Sequence, residues 1–330
     1  MTSNQRTLEV RDERFPIRGT FTISRGSKRE AHVVTATIRD GTAIGHGECV
    51  PYARYNESIE SVRTQIENMR ADVENGISRD ELRASVSAGA ARNAVDCALF
   101  DLEAKQQGKR VWEIAGLDAP SPAVTAYTIS LGPPAEMAAR ARAATDWPLL
   151  KLKLSGDGDI ERVAAVRDAV PAARLIVDAN EAWTEEQLVP GLAILAQHGV
   201  EMVEQPLPAG TDEALGAIDH PLPVCADEAC HEREGLAELA VRYDMINVKL
   251  DKTGGLTEAI NLARDAQARG LGIMVGCMVA TSLAMAPALL LAGLVDYVDL
   301  DGPLLLARDR EPALEYLDGM VLPSKSELWG

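Results

Sequence analysis

The sequence is poor in basic charge for its length. Its 330 residues include 33 lysines and arginines against 50 aspartates and glutamates, which leaves a formal net charge of -17 at pH 7. Nucleic acids and anionic membranes bind to basic surfaces. We therefore predict that neither is a partner, whereas metal ions and small cationic groups are compatible with an acidic chain.

Long apolar runs and paired cysteines are also missing. The apolar segment Ala286–Val295 is too short to cross a bilayer, and Met1–Arg11 lacks the apolar core of a secretory signal. The cysteines are Cys49, Cys97, Cys225, Cys230 and Cys277. Their number is odd, and their spacing fits neither a disulfide framework nor the closely spaced thiolates of a zinc site. These absences predict a location in the reducing cytoplasm.

The first part of the chain has the pattern of a small α+β unit. Two β-rich runs, 32–38 and 43–49, flank an Asp-Gly turn, which predicts a hairpin. The Gly45–Gly47 pair lacks the spacing of a dinucleotide-binding loop, so we predict ordinary strand geometry there. Helical patterns follow at 58–74 and 79–108, and the alanine spacing in the second predicts close helix packing.

From about residue 124, short strand-like runs alternate with longer helical stretches. The runs are AVTAYTISL, PLLKLKL, ARLIVDAN, GVEMVEQP, PLPVCADE, YDMINVKL, LGIMVGCM and VDYVDLDG. Eight alternating units favour a parallel sheet closed into a TIM-type barrel, within the α/β class. We predict a capping domain at 1–118, a barrel at 119–308 and a segment at 309–330 that returns to the capping domain.

Three consecutive strand candidates end in a carboxylate. Asp178, Glu204 and Asp227 lie in IVDAN, VEQP and CADE. Each alone could be a helix cap or a turn residue. In a closed barrel the three would converge, and converging carboxylates repel one another unless a cation lies between them. Oxygen-only ligands favour Mg²⁺ ahead of Mn²⁺ or Ca²⁺, at one site per subunit with open coordination positions.

The strand PLLKLKL carries two lysines on one face. Lys151 and Lys153 point the same way because strand side chains alternate. Taken alone, this pattern also fits a solvated edge strand. In the barrel, Lys153 and Lys249 would instead lie on opposite sides of the metal. A neighbouring cation and burial lower the pKa of a lysine, which makes it a base able to remove a proton α to a carboxylate. A base on the other face could then return a proton and invert the stereocentre, through an enolate stabilised by metal and lysine charge.

The motifs KLK, DAN, EQP, ADE and NVKLDKTGG resemble, in this order, those of the enolase superfamily in its muconate lactonising subgroup. The resemblance covers nearly the whole chain. It implies a (β/α)7β barrel with an α+β capping domain, one Mg²⁺ per subunit with Mn²⁺ as a substitute, and catalysis by Lys153, Lys249 and Lys151. In the family the strand-two lysine, here Lys153, serves the (R)-centre.

Within the subgroup the chain most resembles the dipeptide epimerases, specifically those acting on L-Ala-D/L-Glu. In these enzymes a D-x-D motif, here Asp299 and Asp301, binds the α-ammonium group of the dipeptide. Without the resemblance DLDG would read as a turn. Arg25, in SRGSKRE, matches the arginine of a mobile capping loop that binds the glutamate side chain, although a solvated basic loop is the alternative.

Further site residues are implied by the same resemblance. Thr128, Cys277 and Met278 match substrate contacts, as does Lys151, and Asn180 and Glu228 match residues that support the metal ligands and lysines. The implied role is murein peptide metabolism, and assembly into a homo-oligomer is left open. The alternatives are an epimerase for other dipeptides, a cycloisomerase, an o-succinylbenzoate synthase, or a non-catalytic binding protein on a barrel scaffold.

Overall fold

The computed structural model describes residues 6–330 of the chain. The strands are β1 (Thr7–Ile23), β2 (Gly26–Asp40), β3 (Ala43–Cys49), β4 (Ala123–Val124), β5 (Tyr127–Ile129), β6 (Leu149–Lys153), β7 (Arg174–Asp178), β8 (Val200–Glu204), β9 (Val224–Ala226), β10 (Met245–Val248), β11 (Gly272–Val275), β12 (Tyr297–Val298), β13 (Tyr316–Leu317) and β14 (Met320–Val321). The helices are α1 (Ile59–Asn68), α2 (Arg70–Glu74), α3 (Arg79–Ser85), α4 (Ala90–Gln107), α5 (Val111–Ile114), α6 (Pro134–Ala143), α7 (Asp159–Ala169), α8 (Glu185–Gln197), α9 (Leu236–Leu239), α10 (Leu250–Thr253), α11 (Leu256–Ala268) and α12 (Ser282–Leu289).

Strands β5 to β12 form one parallel sheet in chain order. The sheet closes on itself, because Thr125 bridges Val298 in parallel and the Ala126 N–H donates to the Val298 carbonyl oxygen at 2.8 Å. Each strand corresponds to one of the eight runs found in the sequence, so the predicted TIM-type barrel is confirmed.

Strand β6 shows how the alternation of side chains divides the barrel. Leu150 and Leu152 pack outward into the large core that includes the surrounding helices. Lys151 and Lys153 lie on the other face, inside the barrel, where they are 1% and 8% exposed. An edge strand is therefore excluded, because β6 pairs with β5 on one side and with β7 on the other.

The opposite, N-terminal end of the barrel interior is filled by an apolar cluster. Its buried members are Ala126, Leu149, Ile176, Met202, Cys225, Met245 and Met274. We call this cluster the barrel floor. Because it fills the interior, access to the lysines and carboxylates comes from the other end of the strands, where barrel enzymes place their active sites.

The capping region is a three-stranded antiparallel sheet, in the order β1-β2-β3, covered by α4. A Cβ atom at Gly47 would lie 2.0 Å from the Ala94 carbonyl oxygen, and one at Gly45 would lie 2.1 Å from that of Ala98. The two glycines therefore allow α4 to pack directly on β3. The predicted hairpin and the close helix packing are both confirmed.

The segment Ser24–Glu30, interpreted from sequence as a loop, is mostly strand. The ladder between β1 and β2 continues to the pair Ile23 and Gly26, so only Ser24 and Arg25 form the turn. The Ser24 hydroxyl donates to the Asn180 carbonyl oxygen at 3.0 Å. This hairpin tip therefore lies over the C-terminal end of the barrel.

The C-terminal segment makes contact with the capping region. Arg310 donates to Glu13 and Glu48, at 2.8 and 2.7 Å, and the Trp329 indole N–H donates to the Cys97 carbonyl oxygen at 3.1 Å. These contacts are in keeping with the predicted domain boundaries, which stay a prediction. Every cysteine lies in the described part of the chain and is a free thiol. Across residues 6–330, no helix combines the length and apolar character needed to pass through a membrane.

Candidate active site

A cavity of about 740 Å³ lies between the hairpin tip and the C-terminal end of the barrel. The predicted site residues all line this cavity except Lys151, Asp178 and Glu204, which are buried behind its wall. Side chains that are far apart in sequence are thus brought to one place, as barrel closure requires.

The three predicted metal ligands form a compact cluster. Asp178 and Glu204 are the last residues of β7 and β8, and Asp227 directly follows β9. Each offers a carboxylate oxygen, and these atoms lie within 4.8 Å of one another. Burial and the neighbouring Asp178 carboxylate raise the pKa of Glu204. Such a cluster is costly unless positive charge lies among its members.

Lysines supply positive charge to this cluster from two sides. Lys153 Nζ lies 2.6 Å from Asp178 Oδ2, and Lys249 Nζ lies 2.7 Å from Asp227 Oδ2. These two lysines border the triad at β6 and at the end of β10, with β7, β8 and β9 between them. The sequence prediction placed them in this way.

Lys151 lies deeper than the other two lysines. Its Nζ is 2.5 Å from Glu204 Oε2 and 2.8 Å from Asp299 Oδ2. It links the carboxylate triad to the end of β12 and is screened from the cavity itself.

The pKa values show how strongly these groups interact. Burial alone would raise the pKa of Asp178, but the ammonium groups of Lys153 and Lys151 outweigh burial and lower it. Burial alone would lower the pKa of Lys249, but Asp227 and Glu204 outweigh it and raise the pKa. We expected a lowered lysine pKa, but the pKa of Lys249 is raised because its nearest neighbours are anions. A cation among the same carboxylates is what a lowered value requires.

Sequence reasoning missed two polar partners of the triad. Lys252 Nζ lies 2.6 Å from Asp227 Oδ1, and Asn247 Nδ2 donates to Glu204 Oε1 at 2.7 Å. Both lie in the motif NVKLDKTGG. Lys249 directly precedes α10 and Lys252 lies within it, so the single turn of α10 brings both lysines to one carboxylate.

The aspartates after β12 have unequal surroundings. Asp301 Oδ2 accepts the Thr128 backbone N–H at 2.6 Å, while burial and the Asp299 charge raise the pKa of Asp301. Asp299 pairs with Lys151 through Oδ2, but among residues 6–330 its buried Oδ1 has no hydrogen-bond partner. The pair thus presents an unused acceptor and excess negative charge at the cavity wall.

Arg25 lies at the hairpin tip and is held by four acceptors. Its guanidinium donates to Glu228 at 2.5 Å, to the Asn180 carbonyl oxygen at 2.9 Å, to the Tyr52 hydroxyl at 3.0 Å and to Glu181 at 3.1 Å. Burial would lower the pKa of Arg25, but Glu228 outweighs it and raises the pKa. The tip is therefore fastened to the barrel by ionic contacts.

Residues next to the triad take part in the contacts that fasten the hairpin tip to the barrel. The Asn180 N–H donates to Asp178 Oδ1 at 2.9 Å, and its side-chain amide donates to Glu228 at 3.4 Å. Glu181 also binds Arg54 through two hydrogen bonds, at 2.9 and 2.8 Å. No pattern in the sequence pairs Arg54 with Glu181, because the contact joins two loops far apart in the chain.

Comparison with known families matches both parts of the chain. Residues 5–116 match the mandelate racemase / muconate lactonizing enzyme N-terminal domain, and residues 135–326 match the enolase C-terminal domain-like family. A curated relative, the L-Ala-D/L-Glu epimerase of Escherichia coli (strain K12), is 48% identical over 95% of this chain and 98% of its own. The N-acetyl-D-glutamate racemase of a Pseudoalteromonas species is 45% identical over 90% and 95%.

Solved structures agree with this assignment. An enolase family member from Agrobacterium tumefaciens, described as homologous to dipeptide epimerases and bound to sodium and L-Ala-L-Glu with an ordered loop, matches with a TM-score of 0.97. It is 53% identical and covers 98% of this chain and 100% of its own. A dipeptide epimerase from Enterococcus faecalis V583, complexed with Mg and L-Leu-L-Tyr, has a TM-score of 0.89 at 26% identity and covers 98% of both chains.

Proposed function

The chain belongs to the mandelate racemase / muconate lactonizing enzyme family of the enolase superfamily, and from this premise we propose that it epimerises dipeptides with Mg²⁺ as its cofactor. The names of the relatives support an isomerase, since one is an epimerase and the other a racemase. One observation carries the proposal: Lys153 and Lys249 line a single cavity from opposite sides of a buried carboxylate triad.

The triad fits a hard divalent cation. Asp178, Glu204 and Asp227 offer oxygen atoms only, all buried and close together, which suits Mg²⁺. Bound there, Mg²⁺ would supply the positive charge that stabilises negative charge built up on a substrate carboxylate when the adjacent α-proton leaves. The proposal includes one ion per subunit, with Mn²⁺ as the substitute to be tested.

Lys153 and Lys249 are the proposed bases on the two faces of the substrate α-carbon. A neutral lysine on one face accepts the α-proton, and the ammonium group on the other face donates a proton. The configuration is thereby inverted. Lys151, held between Glu204 and Asp299, adds positive charge without entering the cavity. Lys153 is assigned to the (R)-centre on the family pattern.

Asp299 and Asp301 are proposed to bind the α-ammonium group of the dipeptide. The support is the buried Asp299 Oδ1, which accepts no hydrogen bond within the described chain, and the raised pKa of Asp301, which burial and Asp299 cause. A substrate ammonium group would donate a hydrogen bond to Asp299 Oδ1. Its positive charge would also reduce the repulsion between Asp299 and Asp301 that raises the pKa of Asp301. Thr128, Cys277 and Met278 complete the proposed contacts in the same cavity.

Arg25 is proposed to favour an acidic second residue. It faces the cavity from the hairpin tip and already binds the carboxylates of Glu228 and Glu181. A substrate carboxylate would have to share or replace one of these partners. L-Ala-D/L-Glu is therefore the proposed substrate pair, which supports a role in murein peptide metabolism. A cytoplasmic location is proposed on the free cysteines, and the oligomeric state is left open.

A second candidate is the racemisation of an N-acylated glutamate. The relative named N-acetyl-D-glutamate racemase favours it. The Asp299 and Asp301 pair counts against it, because a neutral acetyl group would leave these buried carboxylates uncompensated. A cycloisomerase, an o-succinylbenzoate synthase and a non-catalytic binding protein would likewise leave the pair or the two lysines without a use.

The test is exchange of the substrate α-proton in D₂O, followed by mass spectrometry. A dipeptide panel with L-Ala-L-Glu, L-Ala-L-Leu and N-acetyl-L-Ala-L-Glu is incubated with enzyme, alongside N-acetyl-L-glutamate. We expect L-Ala-L-Glu to exchange fastest, and acylation of its amine to lower kcat/KM by about a hundredfold or more, because a buried anion pair loses its partner.

The metal is tested in the same assay. Chelation should abolish exchange, Mg²⁺ should restore it, and Asp178→Asn should need far more Mg²⁺ because a neutral amide replaces an anionic ligand. Full activity after chelation would refute the metal assignment. Faster exchange of N-acetyl-L-glutamate than of any dipeptide would replace the proposed function by the second candidate.

A further inference from the structure

The hairpin carries a second cation that faces the same cavity as Arg25. Lys28 lies on β2, near its start, and lines the cavity. Its Nζ lies 5.3 Å from the centroid of the Tyr52 ring, and the Arg25 guanidinium carbon lies 5.9 Å from the same centroid. The two cations therefore share one aromatic wall.

The two cations differ in their partners. Arg25 donates to two carboxylates, a hydroxyl and a carbonyl oxygen. Across residues 6–330, Lys28 Nζ forms no hydrogen bond and no ion pair with a carboxylate, so its three donors remain available. Burial and the like charge of Arg25 both lower the pKa of Lys28, and no anion opposes them. Lys28 is nonetheless an exposed residue, so its ammonium group is open to an entering anion, which would offset the like charge of Arg25.

We propose that Lys28 determines specificity for an acidic substrate side chain, by pairing with its carboxylate alongside Arg25. This inference rests on the proposed dipeptide epimerase function and adds a residue to it. A carboxylate that enters near the Tyr52 ring would meet the donors of Lys28 without displacing a protein partner. The same carboxylate can reach Arg25 only in competition with Glu228 and Glu181.

The geometry of β2 offers a matched control. Arg29 is the next residue along the strand and, like Lys28, is exposed. It is absent from the cavity wall because neighbouring side chains of a strand point to opposite faces. Arg29→Met therefore removes one positive charge from the hairpin without removing it from the cavity. A general effect of hairpin charge would appear equally in Arg29→Met and in Lys28→Met.

The experiment compares L-Ala-L-Glu with L-Ala-L-Gln, its neutral counterpart of nearly the same shape. We expect Lys28→Met to lower the ratio of the two kcat/KM values by about fivefold, the upper end for an exposed ion pair. The loss should appear mainly in KM for L-Ala-L-Glu, since a contact made before and during the reaction changes binding more than turnover. Lys28→Arg should keep most of the native ratio, and Arg29→Met all of it.

An unchanged ratio in Lys28→Met, with native turnover intact, would overturn the role of Lys28 and leave the epimerase function standing. Equal losses in Lys28→Met and Arg29→Met would overturn it as well. Calorimetric titration of the Mg²⁺-loaded enzyme with L-Ala-L-Glu separates the two proposals. Lys28-dependent binding without turnover of any dipeptide would refute the function and retain the role of Lys28. Neither binding nor turnover would refute both.

Discussion

The two ends of the barrel interior are built on the same strands from opposite kinds of side chain. At the floor the inward residues are apolar, and two residues further along three of these strands they are carboxylic acids. The matched pairs are Ile176 and Asp178 on β7, Met202 and Glu204 on β8, and Cys225 and Asp227 at β9. The period of two that defines a strand keeps each pair on one face.

This difference separates stability from chemistry along a single strand. The floor buries apolar surface, which stabilises the fold in proportion to the area removed from water. We call the other end, with its carboxylates and lysines, the ionic end. Burying these charged groups away from water is costly, and ion pairs such as Lys153 with Asp178 offset that cost. A change at the floor should therefore affect folding, and a change at the ionic end should affect the reaction.

The largest expected effect is the loss of a lysine at the ionic end. Lys153→Ala and Lys249→Ala should each lower the epimerisation rate by about a thousandfold or more, because one face of the α-carbon loses its proton acceptor or donor. Each variant should still exchange the α-proton of the one epimer that faces the remaining lysine, measured in D₂O. Lys109→Ala, on the exposed surface, is the control. Epimerisation at the native rate in either variant would refute the two-base mechanism.

A smaller effect, of a different kind, is expected at the floor. Ile176→Ala removes a fully buried side chain and should lower the free energy of unfolding by about 2–5 kcal/mol, with Ile176→Val lowering it by about 0.5–1.5 kcal/mol. Denaturant titration measures both. At a temperature where the variants stay folded, kcat/KM should remain within about twofold of native. A loss of activity as large as that of Lys153→Ala would show that the two ends are not separable.

The smallest effect concerns a buried carboxylate that forms no ion pair with any of residues 6–330. Asp251, in α10, accepts hydrogen bonds from the Val50 N–H and the Asn93 side chain, yet burial raises its pKa to about 7. Because the folded pKa lies above the unfolded value, the stabilising effect of its protonation is present at low pH and is lost as the pH rises through 7.

Asp251→Asn should remove this loss, since asparagine keeps the accepting oxygen and does not titrate. Between pH 5 and 8 the free energy of unfolding of the native protein should fall by about 1–3 kcal/mol relative to Asp251→Asn. Unfolding curves across this range measure the difference. The exposed Asp168→Asn variant should follow the native protein. If the free energy of unfolding depends on pH in the same way for the native protein and for Asp251→Asn, the pKa of Asp251 is not raised.

Much of the ionic end could be predicted from the sequence because it follows from strand periodicity. On β6, β7 and β8, an even number of positions separates each charged residue from the barrel-floor residue of its strand, so both face the barrel interior. The charged residues are Lys151, Lys153, Asp178 and Glu204. Closure of the barrel then brings the ends of these strands together. Lys252 could also have been found, because it lies in the same NVKLDKTGG motif as Lys249. These side chains belong to regular elements, whose geometry is local.

The capping side of the site could not be predicted in this way. The ion pair of Arg54 with Glu181 and the approach of Lys28 to Tyr52 join segments of different elements. Such contacts depend on how the hairpin is placed over the barrel, which no local pattern encodes. The segment Ser24–Glu30 was interpreted as a loop for the same reason, since its strand ladder depends on pairing with β1.

By itself, then, the sequence determined the alternation of strands and helices, the inward face of each strand and the carboxylates and lysines at the strand ends. These follow from side-chain periodicity and from the cost of burying like charges together. The folded structure was needed to show which lysine pairs with which carboxylate. It also shows that, among residues 6–330, Asp299 Oδ1 has no donor and Lys28 pairs with no anion. The physical reason is that pairing energies depend on distance and burial, which exist only once the chain has folded.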